Sequence, residues 1–152
     1  IGSFCRKLRY LCCKNMFLFC GKNVNIEKGA FFGTGFRLKI GDHSGLGLNC
    51  VVPGNIQIGN HVMTGPECNI LSGNHTFDRI DIPMMKEGHA VQKQTIIEDD
   101  VWIGRQVIFT PGRIVKKGSV IGAGTVLTKD FPEYSIIAGN SFRLIRNRLD
   151  HV

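Results

Sequence analysis

Large apolar residues recur at every sixth position between residues 97 and 127. The positions four residues after each of them are mostly small or β-branched, as at Val101 and Thr125. This period fits neither the turn of an α-helix nor the alternation of a free β-strand. It predicts a chain that turns a corner every sixth residue, with three flat faces to each coil of eighteen residues and a continuous apolar core inside the stacked coils. The recurring residues are Ile97, Ile103, Phe109, Val115, Ile121 and Leu127.

Two earlier stretches show the same period. The first contains a single polar member, Thr64, and comprises Ile40, Leu46, Val52, Ile58, Thr64 and Ile70. The second lies two residues out of register with the first and comprises Ile26, Phe32 and Leu38. We therefore predict an all-β chain of stacked coils over residues 23–137, with a small bulge or offset near Lys39.

Residues 1–22 form a separate N-terminal segment, in which residues 3–19 are predicted to be helical. Ser3 is a candidate N-cap and Gly21 a candidate stop. Two interpretations are open for this helix. It could cap the open end of the coils, or it could lie as a basic amphipathic helix on an anionic membrane surface. The apolar positions that can share a face are Phe4, Leu8, Leu11, Cys12 and Phe19.

The periodic pattern breaks between Ile70 and Ile97. Residues 71–96 are predicted to project as a loop from the side of the coils, and long loops on regular scaffolds are often functional. The loop has a mixed apolar content, which suggests that it packs on something, such as a neighbouring subunit. The pattern ends at Pro132. Residues 138–152 are predicted to form a turn and a short basic C-terminal helix.

Composition narrows the possible partners. The chain has 19 Lys and Arg against 12 Asp and Glu, which suits either a solvated surface or an anionic ligand such as a phosphorylated cofactor. Basic residues are not interleaved with aromatic ones, so nucleic acid is not expected. No long uncharged apolar run predicts a transmembrane span. The six cysteines lack disulfide or zinc spacing, so reduced thiols in a cytoplasmic protein are expected, with Cys50 and Cys68 stacked in the core.

Four sequence words resemble one known family. They are GNHTFD at 73–78, IEDDVWIG at 97–104, VIGAGTVLTKD at 120–130 and AGNSFRLIR at 138–146. In this order they resemble the hexapeptide-repeat acyltransferases that acetylate sugars, antibiotics and glycans, and the resemblance covers roughly residues 24–148. It implies a left-handed parallel β-helix and a homotrimer with active sites at subunit interfaces.

The resemblance implies an acetyl-CoA-dependent O-acetyltransferase with His75 as its catalytic base. Imidazole titrates near neutral pH, so His75 could take the proton of a sugar or glycan hydroxyl as that hydroxyl attacks the acetyl thioester directly. Backbone amides around Gly104 would stabilise the oxyanion. No metal is required by this mechanism.

Other site residues follow from the same resemblance. Trp102, Asn49, Asn74 and Asp78 are candidates for acceptor binding. Ser141 and Arg105 depart from the family pattern, at a position where proline is common and at one where a small residue is common. Arg113 and Phe131 are unexpected at small inward positions. The residues expected to bind the cofactor, through backbone contacts or through charge on its phosphates, are Ala123, Thr128, Lys129, Arg143 and Arg146.

Alternative functions stay open at this point. A streptogramin-type antibiotic or the hydroxyl of serine would also fit the scaffold as acceptor. A γ-type carbonic anhydrase shares the β-helix but needs three histidines on zinc, and the spacing of the histidines is unsuitable. His43 and His61 are eighteen residues apart and should stack at one corner, where we favour a role in the turn. A non-catalytic β-helix scaffold is the third alternative.

Overall fold

The structure, a computed structural model, describes residues 2–140 of the 152-residue chain, with side chains from Phe4 onward. The described part holds one α-helix, short parallel strands and a single 3-10 turn at Met84–Lys86. The helix and strands are α1 Gly2–Cys13, β1 Phe19–Cys20, β2 Asn25–Ile26, β3 Lys39–Ile40, β4 Gly45–Leu46, β5 Gln57–Ile58, β6 Met63–Thr64, β7 Asn69–Ile70, β8 Ile96–Ile97, β9 Trp102–Ile103, β10 Ile108–Phe109, β11 Ile114–Val115, β12 Val120–Ile121, β13 Val126–Leu127 and β14 Ile136–Ile137.

The strands form the three faces of a triangular prism. Face 1 contains β1, β3, β5, β8 and β11, and face 2 contains β2 and β4 followed by β6, β9, β12 and β14. Face 3 begins with bridges at Phe31 and Val51 and continues through β7, β10 and β13. All of the strand pairs are parallel. The predicted stack of coils is therefore confirmed as a parallel β-helix.

The predicted inward positions form the core. Ile97 and the five residues that follow it at intervals of six are all buried, with at most 3% of their surface exposed. The earlier series from Ile40 to Ile70, at intervals of six, is buried as well, apart from Thr64, which is half-buried. The unexpected inward residue Arg113 is half-buried, and its guanidinium donates to the carbonyl of Thr128 at 2.9 Å and pairs with Asp130 at 3.5 Å.

An offset of two residues separates the series of apolar residues that begins at Ile26 from the series that begins at Ile40. Ile26 pairs with Leu46, twenty residues on, whereas Ile40 pairs with Ile58, eighteen residues on. The two extra residues are accommodated in the turn at 33–37, before β3. Leu38 is fully buried just ahead of β3, and β3 itself pairs regularly. The offset predicted near Lys39 is therefore present, in the turn that ends two residues before it.

The N-terminal segment also differs from the prediction. The helix ends at Cys13, and the β-helix begins at Phe19 instead of residue 23. Phe17 is buried over the first coil, where its ring meets that of Phe32 edge-on at 4.9 Å. The predicted apolar face of the helix points away from the prism and is exposed. Phe17 therefore covers this end of the core, and the apolar face of the helix does not.

The projecting segment leaves after β7 and returns at β8 without disturbing the coils. Ile58 pairs directly with Ile97, so the stack continues across the excursion in register. The base of the loop is a narrow hairpin, in which Ala90 donates to the carbonyl of Asn74 at 2.9 Å. The C-terminal helix predicted after residue 141 lies outside the described residues. Between residues 2 and 140, no helix has the length and apolar character needed to cross a membrane.

Candidate functional site

The first corner, between faces 1 and 2, is closed by side chains of the chain itself. The Asp42 carboxylate accepts from the amide of Lys22 at 2.8 Å, and the Asn60 side chain accepts from the amide of Asp42 at 2.8 Å. The Asp99 carboxylate accepts from the amide of Asn60 at 2.7 Å. A Cβ on Gly59 would lie 2.3 Å from an Asp99 carboxylate oxygen, so glycine leaves room for the acceptor from the next coil.

His43 and His61 stack at this first corner as predicted. Their ring centroids are 5.1 Å apart and the planes differ by 4°. Both residues have positive φ, near 57°, which histidine tolerates better than most residues. Within residues 2–140, no cluster of three or more His, Cys, Asp or Glu could hold a metal ion. These histidines therefore serve the turn.

The second corner, between faces 2 and 3, leaves backbone donors open. Among the described residues, the amides of Arg105 and Ala123 have no hydrogen-bond acceptor. The equivalent position one coil earlier is Pro66, which has no amide hydrogen. A Cβ on Gly104 would lie 2.6 Å from the Ala123 nitrogen, so glycine permits the close approach of successive coils. Two open donors on neighbouring coils form a site for carbonyl or oxyanion groups.

The Gly104 amide is not one of these open donors. It donates to the carbonyl of Ile121 at 2.7 Å as part of the ladder between coils. Of the backbone amides around Gly104, the one on Arg105 is therefore the open donor. The Arg105 side chain pairs with Glu67 at 3.7 Å.

Trp102 lies on face 2, immediately before the second corner. It is aligned between Met63 and Val120 of the neighbouring coils, and 53% of its surface is exposed. Its side chain points outward, because the following residue, Ile103, is buried in the core. A ligand that lies along the second corner would meet this indole ring.

His75 lies in the projecting loop, beyond the third corner between faces 3 and 1. It forms an isolated antiparallel bridge with His89, and the two ring centroids are 4.4 Å apart with the planes tilted by 37°. His75 is exposed, as are its neighbours Asn74 and Asp78. The hairpin and the packing of the two rings give the imidazole a defined position.

Thr128 and Lys129 follow face 3 directly, at the third corner. The Thr128 carbonyl accepts from Arg113, and the Lys129 ammonium lies 5.5 Å from the centre of the Phe131 ring. Both residues are exposed. The other cationic candidates, Arg143 and Arg146, lie outside the described residues.

One copy of the chain does not bring the predicted site residues together. Asn49 lies at the second corner, with positive φ of 53°, two coils before Gln106. His75 and Lys129 belong to the third corner, on the opposite edge of face 3. Face 3 of the prism therefore lies between the two groups.

A cavity of about 510 Å³ lies between α1 and the early part of face 2. The sequence analysis did not predict it. Its lining includes Gly47 and Pro66, which belong to the second corner. Among the described residues, Asn25 Oδ1 and Thr64 Oγ1 are buried without a hydrogen-bond partner, and both residues line the cavity. The sequence signal that could have indicated this cavity is Thr64, the single polar residue in the series from Ile40 to Ile70. Further polar lining comes from Arg6, Glu27, His43 and Ser44.

Two buried thiols lie beneath the second corner. Cys50 and Cys68 stack on adjacent coils as predicted, and both are almost fully buried. Both thiols donate to the carbonyl of Gly65 at 3.3 Å. The neighbouring Cys68 thiol lowers the pKa of Cys50, while the Cys50 thiol and burial raise the pKa of Cys68. Cys68 also contacts the carbonyl of Gly104 at 3.0 Å. Their burial keeps them away from any ligand at the surface.

Two family models match the chain. The bacterial transferase hexapeptide model (six repeats) matches residues 94–129, and the hexapeptide repeat of succinyl-transferase matches residues 37–63. The galactoside O-acetyltransferase of Lactococcus lactis is 35% identical over 135 residues, which are 83% of this chain and 61% of that protein. The galactoside O-acetyltransferase of Escherichia coli is 31% identical, over 88% of this chain and 65% of that protein. The chain thus spans less than two thirds of these curated relatives.

Solved structures are similar as well. The maltose O-acetyltransferase from Clostridium difficile 630 superimposes with a TM-score of 0.76 at 31% identity, over 92% of this chain and 74% of that one. A galactoside acetyltransferase in complex with coenzyme A gives a TM-score of 0.78 at 28% identity, over 95% and 72% of the two chains.

Proposed function

The chain belongs to the hexapeptide-repeat acyltransferase family, and on this basis we propose that it transfers acetyl from acetyl-CoA to a hydroxyl of a sugar or glycan. The observation that carries the proposal is the pair of open amides at the second corner, beside the exposed Trp102. Named galactoside and maltose O-acetyltransferases among the similar proteins, one of them with coenzyme A bound, support the same donor.

The donor would lie along the second corner. Acetyl-CoA supplies an activated acetyl thioester and a pantetheine arm rich in amide carbonyls. The Ala123 amide is free to donate to such a carbonyl, and the Arg105 amide one coil away is free to face the thioester. Because Arg105 directs its side chain toward Glu67, its amide stays accessible despite the departure from the family's small residue.

His75 acts as the general base in this proposal. It accepts the proton of the acceptor hydroxyl while the hydroxyl oxygen bonds to the thioester carbonyl carbon. The Arg105 amide donates to the oxyanion of the tetrahedral intermediate. Protonated His75 then returns the proton to the CoA sulfur as the carbon–sulfur bond breaks. The products are the acetyl ester and CoA, and no enzyme nucleophile is used.

The acceptor would occupy the cavity on face 2. Its unpartnered polar atoms, Asn25 Oδ1 and Thr64 Oγ1, suit a ligand that carries several hydroxyl groups. Asn49 and Trp102 lie at the upper edge of the same face, and Asn74 and Asp78 flank the base on the loop. A polyhydroxylated acceptor such as a sugar is favoured over the amino acid serine or a largely apolar antibiotic.

The complete site would need more than one copy of the chain. His75 and Lys129 lie across face 3 from Trp102 and the open amides, so a neighbouring copy must supply one of the two groups. We expect a homotrimer with a site at each interface, in which Thr128 would lie near the donor phosphates. The six free thiols suit a reducing, cytoplasmic compartment.

Calorimetric titration of acetyl-CoA, followed by an acetyl-transfer assay on a panel of sugars, tests this proposal. We expect His75→Ala to bind acetyl-CoA normally and to lower kcat by about 10²–10⁴, the usual contribution of a general base. His61→Asn is the matched control, because asparagine tolerates the same positive φ and His61 belongs to the structural corner. Failure to bind acetyl-CoA, or full activity of His75→Ala, would refute the proposal.

A further inference from the structure

The helix α1 presents a row of apolar side chains to solvent. Phe4, Leu8 and Leu11 are 69%, 50% and 53% exposed. Their spacing of four and three residues places them on one side of the helix, within about 60° of arc. We call these three residues the α1 apolar face. Isolated exposed apolar residues are common on proteins, but a row of them aligned on one side of a helix indicates an interaction surface.

The opposite side of the helix is fastened to the first coil. The Tyr10 hydroxyl donates to the carbonyl of Gly21 at 3.1 Å, and the Arg9 guanidinium pairs with Glu27 at 3.4 Å. Arg9 also donates to the carbonyl of Ile26. These bonds fix the rotation of the helix about its own axis, so the α1 apolar face cannot turn inward without breaking them.

The charged residues of the helix itself are all basic, and Glu27 of the first coil pairs with Arg9 on the opposite side of the helix. Residues 1–26 contain five of the chain's 19 basic residues and none of its 12 acidic residues. Lys7 and Lys14 are exposed, and each lies three residues from a member of the α1 apolar face, at its border. Lysines in this position can extend their ammonium groups to phosphate headgroups while their methylene stems cover apolar surface.

We infer that the α1 apolar face docks the protein on a membrane surface rich in anionic lipid. Short basic amphipathic helices bind in this way by burying the apolar row at the headgroup boundary. A second copy of the chain is a poorer occupant, because two such faces in contact would bring their lysines together. The inference goes beyond acetyl transfer and does not depend on it.

Co-sedimentation of the full chain with lipid vesicles tests the inference. We expect binding to vesicles of phosphatidylcholine mixed with phosphatidylglycerol, and much weaker binding to phosphatidylcholine alone. High salt should weaken the binding because exposed charges are screened. Equal binding to both vesicle types, or none to either, would overturn the inference.

Matched variants assign the binding to the helix. Leu8→Ser with Leu11→Ser should weaken binding about tenfold or more, given the apolar area removed. Lys7→Gln with Lys14→Gln keeps the apolar row and should also weaken binding, by about thirtyfold, because each lysine near an anionic surface contributes to binding. Met85→Ser with Val91→Ser removes residues that are 83% and 89% exposed on the projecting loop and should change nothing.

The outcomes separate a membrane from a protein partner. Circular dichroism checks that each variant folds. If the leucine variant does not fold, the lysine variant still tests the inference. If the leucine variant binds vesicles normally but changes the size of the protein on gel filtration, the α1 apolar face is a protein interface and the inference is wrong.

Discussion

The first and second corners of the prism use the same turn but complete their hydrogen bonds differently. Both turns pass through a residue with positive φ, His61 at the first corner and Gln106 at the second. At the first corner, Asp42, Asn60 and Asp99 accept from the amides of the preceding coil. At the second corner, the equivalent donors have no acceptor among the described residues.

The difference fits our proposal that the first corner is structural and that the second binds the donor. An amide that loses water without gaining an acceptor costs free energy, so a chain normally satisfies it. Here the first corner is satisfied over three successive coils, as far as the Asp99 amide, which has no acceptor among the described residues. The second corner keeps the amides of both Arg105 and Ala123 open where a ligand can reach them. Substitutions at the first corner should therefore affect folding, and substitutions at the second should affect catalysis.

Removing one open amide should have the largest effect. Arg105→Pro deletes the proposed oxyanion donor, and Pro66 shows that the equivalent turn accepts proline. We expect kcat to fall about 10²–10³-fold, as for loss of an oxyanion-hole donor, with little change in the unfolding midpoint. Arg105→Ala keeps the N–H and should lose far less, and Glu67→Gln controls for the broken ion pair. Equal activity of the proline and alanine variants would remove Arg105 from the mechanism.

Opening the closed corner should have the next largest effect, and it should appear in stability. Asn60→Ala leaves the amide of Asp42 without its acceptor and breaks the contact with Asp99. We expect the free energy of unfolding to fall by about 1–3 kcal/mol, the range for an unsatisfied polar group, with kcat per folded molecule unchanged. Denaturant titration and the acetyl-transfer assay measure the two quantities. A variant that lost activity at unchanged stability would contradict the division between the corners.

The smallest effect should come from a substitution of Glu98, which is half-buried at the first corner. Its carboxylate accepts from Lys116 Nζ at 2.9 Å and from the amide of Lys117 at 3.0 Å, and these bonds lower its pKa, with Lys116 as the main cause. A lowered pKa in the folded state stabilises the protein above the unfolded pKa, and this contribution is lost as the pH falls through the folded value.

Glu98→Gln should therefore lower the melting temperature slightly at neutral pH. The difference from the wild type should shrink as the pH falls below about 4.3, the ordinary glutamate pKa. Thermal unfolding across this range measures it. The prediction would be contradicted if the difference in melting temperature grew as the pH fell, or if it exceeded the difference caused by Asn60→Ala.

The core was predictable from the sequence because each inward residue repeats at a fixed interval. Ile97, Ile103 and Ile121 needed only the period of six to be placed correctly. The N-terminal helix was harder, since the spacing of Phe4 and Leu8 shows that they share a side but not which way that side points. The structure turns them outward because Tyr10 and Arg9 fasten the other side.

The candidate site was only partly predictable. Motif resemblance could propose His75 and Trp102, because these residues stand in recognisable words. The resemblance indicated the backbone amides around Gly104 as oxyanion donors. The sequence does not reveal which of these amides already donates to a carbonyl of the next coil. The cavity could not be predicted because Asn25 and Thr64 are far apart in sequence and line one cavity only when the coils stack.

The projecting loop has a consequence for how such proteins diversify. Because Ile58 and Ile97 pair as if nothing lay between them, the coils impose no particular length on the segment that interrupts them. A change in loop length costs only a slowly growing closure entropy. Descendants of one ancestral prism could thus exchange this segment and acquire new acceptor preferences while inheriting an unaltered framework, so that specificity and stability evolve as separate traits.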